Sequence, residues 1–347
     1  MIDFNNELTK IFQYEKVKFA EINLDNLIFY GFGQLGKMAI NLLNFVEIKP
    51  KYIVDKNIKT SSDNTEVVCP EDISFEDLKN STFVICISSL PYNDIYKYLK
   101  NLGCNHIIQF YDLAKLVIPN ILLNGWSIEN LTKTDIAEIR TVCKNLSHDE
   151  NSLFHYIQFL WWRLKRVEYV YDKYPVLSSK KYFKAPCIPK LTNYETFIDG
   201  GAHTGSSIQE FIEFTNNCYK HIFAFEPDKV TMQKLKNNNC NLNKNQITLS
   251  KQGLSDKIES TYFLDKLDFA SKISENGTKK ISTITIDSLD LKPSIVKLHI
   301  EGHELKALNG AKKTIIEHRP ILMVLADNNE DGIYKIDILL INLKDYK

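Results

Sequence analysis

Residues 297–304 read KLHIEGHE, with Lys297, His299 and Glu301 alternating with apolar residues before His303 and Glu304. Alternation with a period of two marks a strand, so Lys297, His299 and Glu301 share one face while Val296, Leu298 and Ile300 share the other. A neutral imidazole accepts a proton near neutral pH, and a carboxylate can orient or accept one, so the trio is a candidate for catalytic proton transfer. Gly302 ends the strand. A stripe of Leu305, Leu308, Ala311 and Ile315 then marks a helix that stops at Pro320. His303 and Glu304 fall in its first turn, where Glu304 complements the helix dipole. Zinc is the competing use of His299, Glu301 and His303, but the strand-to-helix turn separates them and H-x-E-x-H is not a helical i, i+4 pair; no metal is expected.

Two glycine loops lie upstream. Phe197 to Gly205, FIDGGAHTG, is a strand ending in Asp199, then a small-residue turn of Gly200, Gly201, Ala202, His203, Thr204 and Gly205 opening a helix. The next strand, in HIFAFEPD, ends at Glu226. An acid in the turn suits a ligand with a cationic amino end, and an acid on the second strand suits a ribose diol; S-adenosylmethionine carries both groups. The other loop, Gly31-Phe32-Gly33-Gln34-Leu35-Gly36, matches G-x-G-x-x-G between a strand and a helix, with Asp55 ending the following strand. Gly31, Gly33, Gly36 and Asp55 are therefore a candidate second site for a dinucleotide or nucleotide-sugar, with a tight turn kept for packing as the alternative. No Ser-x-x-x-Tyr-x-x-x-Lys or other hydride-transfer apparatus follows, which makes a dehydrogenase the weaker reading.

These residues need elements to hold them. Residues 1–115 alternate strand and helix patterns, as a Rossmann-like parallel-sheet domain does. Residues 116–190 lose the strand signal and read as a helical connector, in which Phe154, Tyr156, Phe159, Trp161 and Trp162 serve packing rather than base stacking. Residues 191–347 resume the alternation, with strands near 196–199, 221–226, 246–251, 295–300 and 320–326. The expected fold class is α/β: two Rossmann-like doubly wound parallel-sheet domains joined by the connector. Lys plus Arg equals Asp plus Glu at 43 each, so no global field favours nucleic acid or an anionic membrane as partner. The seven cysteines are scattered without a C-x-x-C pair, against a disulfide framework or cysteine zinc site. The polar start MIDFNNELTKIFQYEK is no signal peptide and no apolar run is long enough to span a bilayer, so a soluble cytoplasmic protein is expected.

Taken in order, FIDGGAHTG, AFEPD, GLSD (253–256), TITIDSL (283–289), KLHIEGHELKALNGAKKTI (297–315) and RPIL (319–322) resemble the motifs of the FkbM family of S-adenosylmethionine-dependent methyltransferases, over residues 194–345. The upstream stretch, with Tyr182-Phe183, is more loosely similar to FkbM-type proteins that carry a nucleotide-binding-like N-terminal domain. The resemblance implies a class I methyltransferase fold in which Asp199 and the loop to Gly205 hold the methionine end, Glu226 the ribose, and Ser255 with Asp256 the adenine edge. It implies methylation of a hydroxyl on a sugar, glycan precursor or other small metabolite. Two departures stand out. Where the family strand reads Lys-x-Asp-x-Glu-Gly, His299 replaces the aspartate, so a non-catalytic protein with a binding or assembly role is the alternative. The fold normally adds an antiparallel strand pair after the fifth strand and helix; that pair is expected to be missing, and the apolar strand 320–326 to be covered by another domain or a second subunit, as in a homodimer.

Overall fold

The computed structural model describes residues 3–15, 22–57, 67–118, 128, 131–176, 181–264, 272–273, 277, 279–329 and 331–343. The chain divides into two compact units, one of Thr9–Leu123 with Lys165–Val170, the other of Met1–Leu8, Asn124–Leu164 and Tyr171–Lys347. Helix α1 (Phe4–Gln13) gives residues to each.

In the first unit, strands β1 (Leu27–Tyr30), β2 (Tyr52–Val54), β3 (Thr82–Ile85) and β4 (His106–Gln109) form a parallel sheet in the order β2-β1-β3-β4. Helices α2 (Gln34–Asn44), α3 (Phe75–Asn80), α4 (Tyr92–Leu102) and α5 (Phe110–Val117) alternate with them. Every residue of β1 and β3 is buried, as expected of parallel strands covered on both faces. Residues 165–170 are stitched to this unit: Arg166 Nε lies 2.5 Å from Asp112 Oδ1, and the Glu168 carboxylate accepts the amides of Tyr92 and Asn93 at the start of α4.

The second unit begins with α6 (Lys133–Leu146) and α7 (Glu150–Lys165). Thr132 and Asp135 form a reciprocal capping box at the start of α6, which satisfies amides the helix itself leaves open. Its sheet contains β5 (Thr196–Gly200), β6 (His221–Phe225) and β7 (Ile247–Ser250), with α8 (Ser206–Phe214) and α9 (Lys229–Asn238) between them. A side sheet follows, of β8 (Gly253–Leu254), β9 (Ser260–Leu264), β10 (Lys272–Ile273) and β11 (Lys279–Ile284), ordered β10-β9-β11-β8. The chain then returns through β12 (Ile295–Leu298), α10 (Glu304–Asn309), α11 (Lys312–His318), β13 (Ile321–Val324) and α12 (Gly332–Asn342). The main sheet is parallel throughout, ordered β13-β12-β5-β6-β7. Among the described residues β13 is its edge.

The period-two alternation seen in the sequence sorts the core. Phe197, Ile208, Phe211, Ile222, Met232 and Phe183 fill one side of the sheet, and Ile198, Val296, Leu298, Leu308 and Ile315 fill the other. The expected separate connector, 116–190, is corrected by the packing. Helix α6 lies against α12, with Lys335 Nζ 2.6 Å from Glu138 Oε2, so these helices belong to the second unit, while residues 165–170 belong to the first. Among the described residues no helix is long and apolar enough to cross a membrane.

Phe183 is 2% exposed and packs against Phe197 and Phe211 at ring-centroid distances of 5.3 Å. Deleting such a ring removes its transfer energy and leaves a cavity, so Phe183→Ala is expected to destabilise this unit by ~3–5 kcal/mol in denaturant unfolding.

Candidate active site

The register of β5 and β12 sets Lys297 opposite Asp199. Lys297 Nζ donates to Asp199 Oδ1 at 2.8 Å and to the Gly201 carbonyl at 2.8 Å, while Ser207 Oγ, at the start of α8, donates to Asp199 Oδ2 at 2.5 Å. Asp199 is 0% and Lys297 3% exposed; charges so deep persist only when paired and hydrogen-bonded. Asp199, expected to hold a ligand's amino end, ties the glycine loop to β12, and Lys297 pairs with a carboxylate, one of the two roles open to it in the sequence, as a buried cation beneath the loop.

The loop then closes over that pair. Gly201 has φ +73°, and a Cβ there would collide with the His299 carbonyl oxygen; only glycine lets the loop approach β12 so closely. The amides of Gly201 and Ala202 donate to the Phe225 carbonyl at 3.0 and 3.1 Å. The His203 amide donates to Glu226 Oε2 at 3.0 Å, and the Asp228 amide to Glu226 Oε1 at 2.9 Å. Thr204 gives its carbonyl to Asn238 Nδ2, and Gly205 caps α8 in the left-handed region. Burial pushes the Glu226 carboxyl up to about 7 against the opposing pull of those amides.

Beyond β12 the backbone turns through the left-handed region at Glu301 (φ +52°) and Gly302 (φ +96°). Glu304, fully buried at the first position of α10, accepts the amides of Ile300 and Gly302 at 2.8 and 2.9 Å. Its part is thus to shape the turn, beyond complementing a dipole, and burial pushes it up to about 7. The turn presents His299 and Glu301 together. His299 Nε2 lies 3.2 Å from Glu301 Oε1, and His299 Nδ1 lies 2.7 Å from the Tyr182 hydroxyl. Burial first, then the charge of Asp199, holds the Tyr182 phenol well above its usual range. The Lys297 ammonium sits 5.5 Å over the Tyr182 ring. Tyr182 was visible in the sequence only as half of a Tyr-Phe pair in the looser resemblance; no local pattern ties it to a strand more than a hundred residues on.

A cleft opens at the carboxyl ends of β5, β6 and β12, where doubly wound sheets bind ligands. Gly201, His203, Glu226, His299, Glu301 and His303 are on its walls, with an apolar side from Phe225, Leu254, Phe263, Ile273 and Ile300. It holds about 860 Å³ counting its open mouth. His303, expected only to start a helix, is a wall residue: its Nε2 lies 3.3 Å from Ser255 Oγ, and burial pushes it down to about 4. Ser255 is buried and bonds Asp256 at 3.1 Å. Neither of these residues, expected at an adenine edge, is on the cleft wall. Among the described residues no group of three His, Cys, Asp or Glu could hold a metal ion.

In the first unit the Gly31 amide donates to the Val54 carbonyl at 2.7 Å, Gly33 caps α2, and a Cβ on Gly36 would collide with the Gly31 carbonyl. Asp55 Oδ2 accepts the Phe32 amide and Oδ1 the Asn57 amide, both at 2.8 Å. This repeats the Glu226 arrangement atom for atom: an acid ending the second strand holds the loop after the first.

A central glycine loop, an acid on the neighbouring strand and the order β13-β12-β5-β6-β7 are those of a Rossmann-like doubly wound α/β fold. Residues 199–339 match the model of the methyltransferase FkbM domain. The crystal structure of methyltransferase FkbM from Methylobacillus flagellatus KT is similar over 94% of this chain and 86% of that one, at 20% identity and a TM-score of 0.66. That likeness establishes the fold. A search of curated proteins gave no match.

Two outcomes follow from the buried charges. Lys297→Met leaves the Asp199 carboxylate buried without its cation and is expected to cost ~3–5 kcal/mol in denaturant unfolding, with Asp199→Asn added to the same chain recovering part of it. Glu226 has a folded-state pKa of about 7 against an ordinary 4.5, so the folded state holds the extra proton between those values and this group's contribution falls as pH rises through that window. Melting temperatures of wild type and Glu226→Gln, measured at intervals across it, should therefore converge or cross as pH rises, wild type losing more.

Proposed function

We propose that this protein is an S-adenosylmethionine-dependent O-methyltransferase acting on a hydroxyl of a sugar, glycan precursor or other small metabolite. The observation that carries the reading is the cleft, which brings Glu226, an apolar wall and the His299–Glu301 pair to one mouth of the sheet in the region that matches the FkbM domain. The residues present fit the cofactor. Leu254, Phe263 and Ile273 offer an adenine ring an apolar surface, and Glu226 offers a ribose diol a carboxylate already aimed by two amides. The wall carries three acids, Glu226, Asp228 and Glu301, beside His203, His299 and His303, and a cationic sulfonium and ammonium suit the acids.

Bound there, S-adenosylmethionine supplies an electrophilic methyl group, so that a lone pair of the acceptor oxygen forms the O–C bond while the C–S pair stays with sulfur. The protein's share is to hold the reacting atoms in line, exclude water and remove the hydroxyl proton. The His299–Glu301 pair supplies a proton-accepting group at the cleft, which favours catalysis over a purely binding role despite the missing strand aspartate. All seven cysteines are free thiols, which suits a reducing cytoplasm.

Isothermal titration with S-adenosylmethionine, S-adenosylhomocysteine, NAD and UDP-sugars, followed by labelled-methyl transfer to a sugar panel, tests the reading. Both sulfur ligands should bind, and Glu226→Ala should weaken them about 10–100-fold, the worth of a charged hydrogen bond of ~1.5–3 kcal/mol. Failure of wild type to bind either one would overturn the proposal.

A further inference from the structure

We infer that Glu301 is the base that takes the acceptor's hydroxyl proton, and that Tyr182 and His299 are positioning residues which fix it through a single imidazole tautomer. The inference rests on the methyl-transfer reading and departs from the sequence expectation that His299 itself serves as base. His299 Nε2 lies 3.2 Å from Glu301 Oε1, an ion-pair distance at which an ionised carboxylate, which only accepts, favours a proton on Nε2. Nδ1, 2.7 Å from the Tyr182 hydroxyl, either receives the phenol proton or carries one of its own, in the other neutral tautomer or a cationic ring.

The surroundings choose the first arrangement. His299 is the one hydrogen-bonding partner of the Tyr182 hydroxyl among the described residues, so a proton on Nδ1, in a neutral or a cationic ring, would leave that phenol proton without a protein acceptor. The Lys297 ammonium lies against the same Tyr182 ring, and a second cation beside it would be disfavoured. Burial and the nearby carboxylates of Asp199, Asp327, Glu210 and Glu301 keep the phenol protonated. With Nδ1 accepting from Tyr182, the neutral ring carries its proton on Nε2, facing Glu301. His299 has no lone pair left for a substrate.

Glu301 does. Its Oε1 lies 3.2 Å from His299 Nε2, neither carboxylate oxygen makes a hydrogen bond among the described residues, and the side chain is on the cleft wall. Its backbone is held in the left-handed region at φ +52° by the Glu304 carboxylate, which grips the amides of Ile300 and Gly302 on either side. A non-glycine residue kept there is strained, and such strain persists where the surrounding structure over-determines it. In the reaction the acceptor's O–H bond breaks as its oxygen bonds the methyl carbon. The proton passes to a Glu301 carboxylate oxygen, leaving neutral Glu301, the methyl ether and S-adenosylhomocysteine, and solvent later removes it.

The deciding measurement is heteronuclear NMR of protein labelled at the imidazole nitrogens, with the His299 signals assigned by their loss in His299→Gln. Wild type, free or with S-adenosylhomocysteine, should show His299 protonated at Nε2 and bare at Nδ1, and Tyr182→Phe should convert it to a tautomer mixture. An Nδ1–H or doubly protonated ring in wild type, or a Tyr182→Phe spectrum identical to wild type, would overturn the inference. With a sugar acceptor that wild type methylates, Glu301→Gln should lower kcat by about 10²–10⁴-fold with the donor KM unchanged, and Tyr182→Phe should lower it less. A larger kcat loss in His299→Gln than in Glu301→Gln also overturns it. Calorimetry with S-adenosylhomocysteine on the same samples keeps the two claims apart: lost binding sinks the methyltransferase reading, while the tautomer is still read in the free protein.

Discussion

The second unit depends on one buried ion pair. Lys297 and Asp199 occupy opposed positions on adjacent parallel strands, and neither reaches solvent. Each charge would be costly alone at that depth, since desolvation takes several kcal/mol per ion. Together with Ser207 and the Gly201 carbonyl they form a closed polar knot. The knot joins strand, glycine loop and the start of α8, and so fixes where the loop can go. Once the loop is fixed, its contact with the His299 carbonyl fixes the end of β12 in turn.

The next layer is another carboxylate, acting on backbone rather than on a cation. Glu304 grips two amides across the left-handed turn, and that turn sets the directions of His299 and Glu301. Phe183 adds the third support from outside the sheet. Buried among Phe197 and Phe211, it seats its neighbour Tyr182 against His299. The polar chain from Tyr182 to Glu301 is therefore held at one end by an aromatic core and at the other by a buried acid, which is the support a preorganised site needs.

Periodicity made much of this legible. The five strands of the second unit's main sheet, the four of the first unit and the strand-to-helix break at Gly302 could all be read from apolar alternation and glycine placement, because those patterns are local. What escaped was the direction of side chains whose partners are remote in sequence. Asp199 read as a ligand-facing acid because the pattern shows a carboxylate at a strand end but not the lysine across the sheet. His303 read as a helix start because spacing cannot show that the residue capping the N-terminus of α10 also walls a cleft. The connector boundary failed for the same reason: α6 is defined by its contact with α12, and residues 165–170 by Asp112 and the amides that open α4.

The two glycine loops show how far such patterns reach as evidence of function. Asp55 with the Phe32 and Asn57 amides and Glu226 with the His203 and Asp228 amides are the same latch, built twice. In both places the acid has a structural task, which is to pin the loop that follows the first strand. A glycine loop followed by an acid is therefore explained by the architecture before any ligand is invoked, and it carries equal weight in both units. What sets the second unit apart comes from β12 and the turn after it, where His299, Glu301 and His303 reach the cleft wall. The chemistry of this chain is specified by its fourth strand in that sheet; the latch supplies a floor for it, and the same floor is compatible with many chemistries.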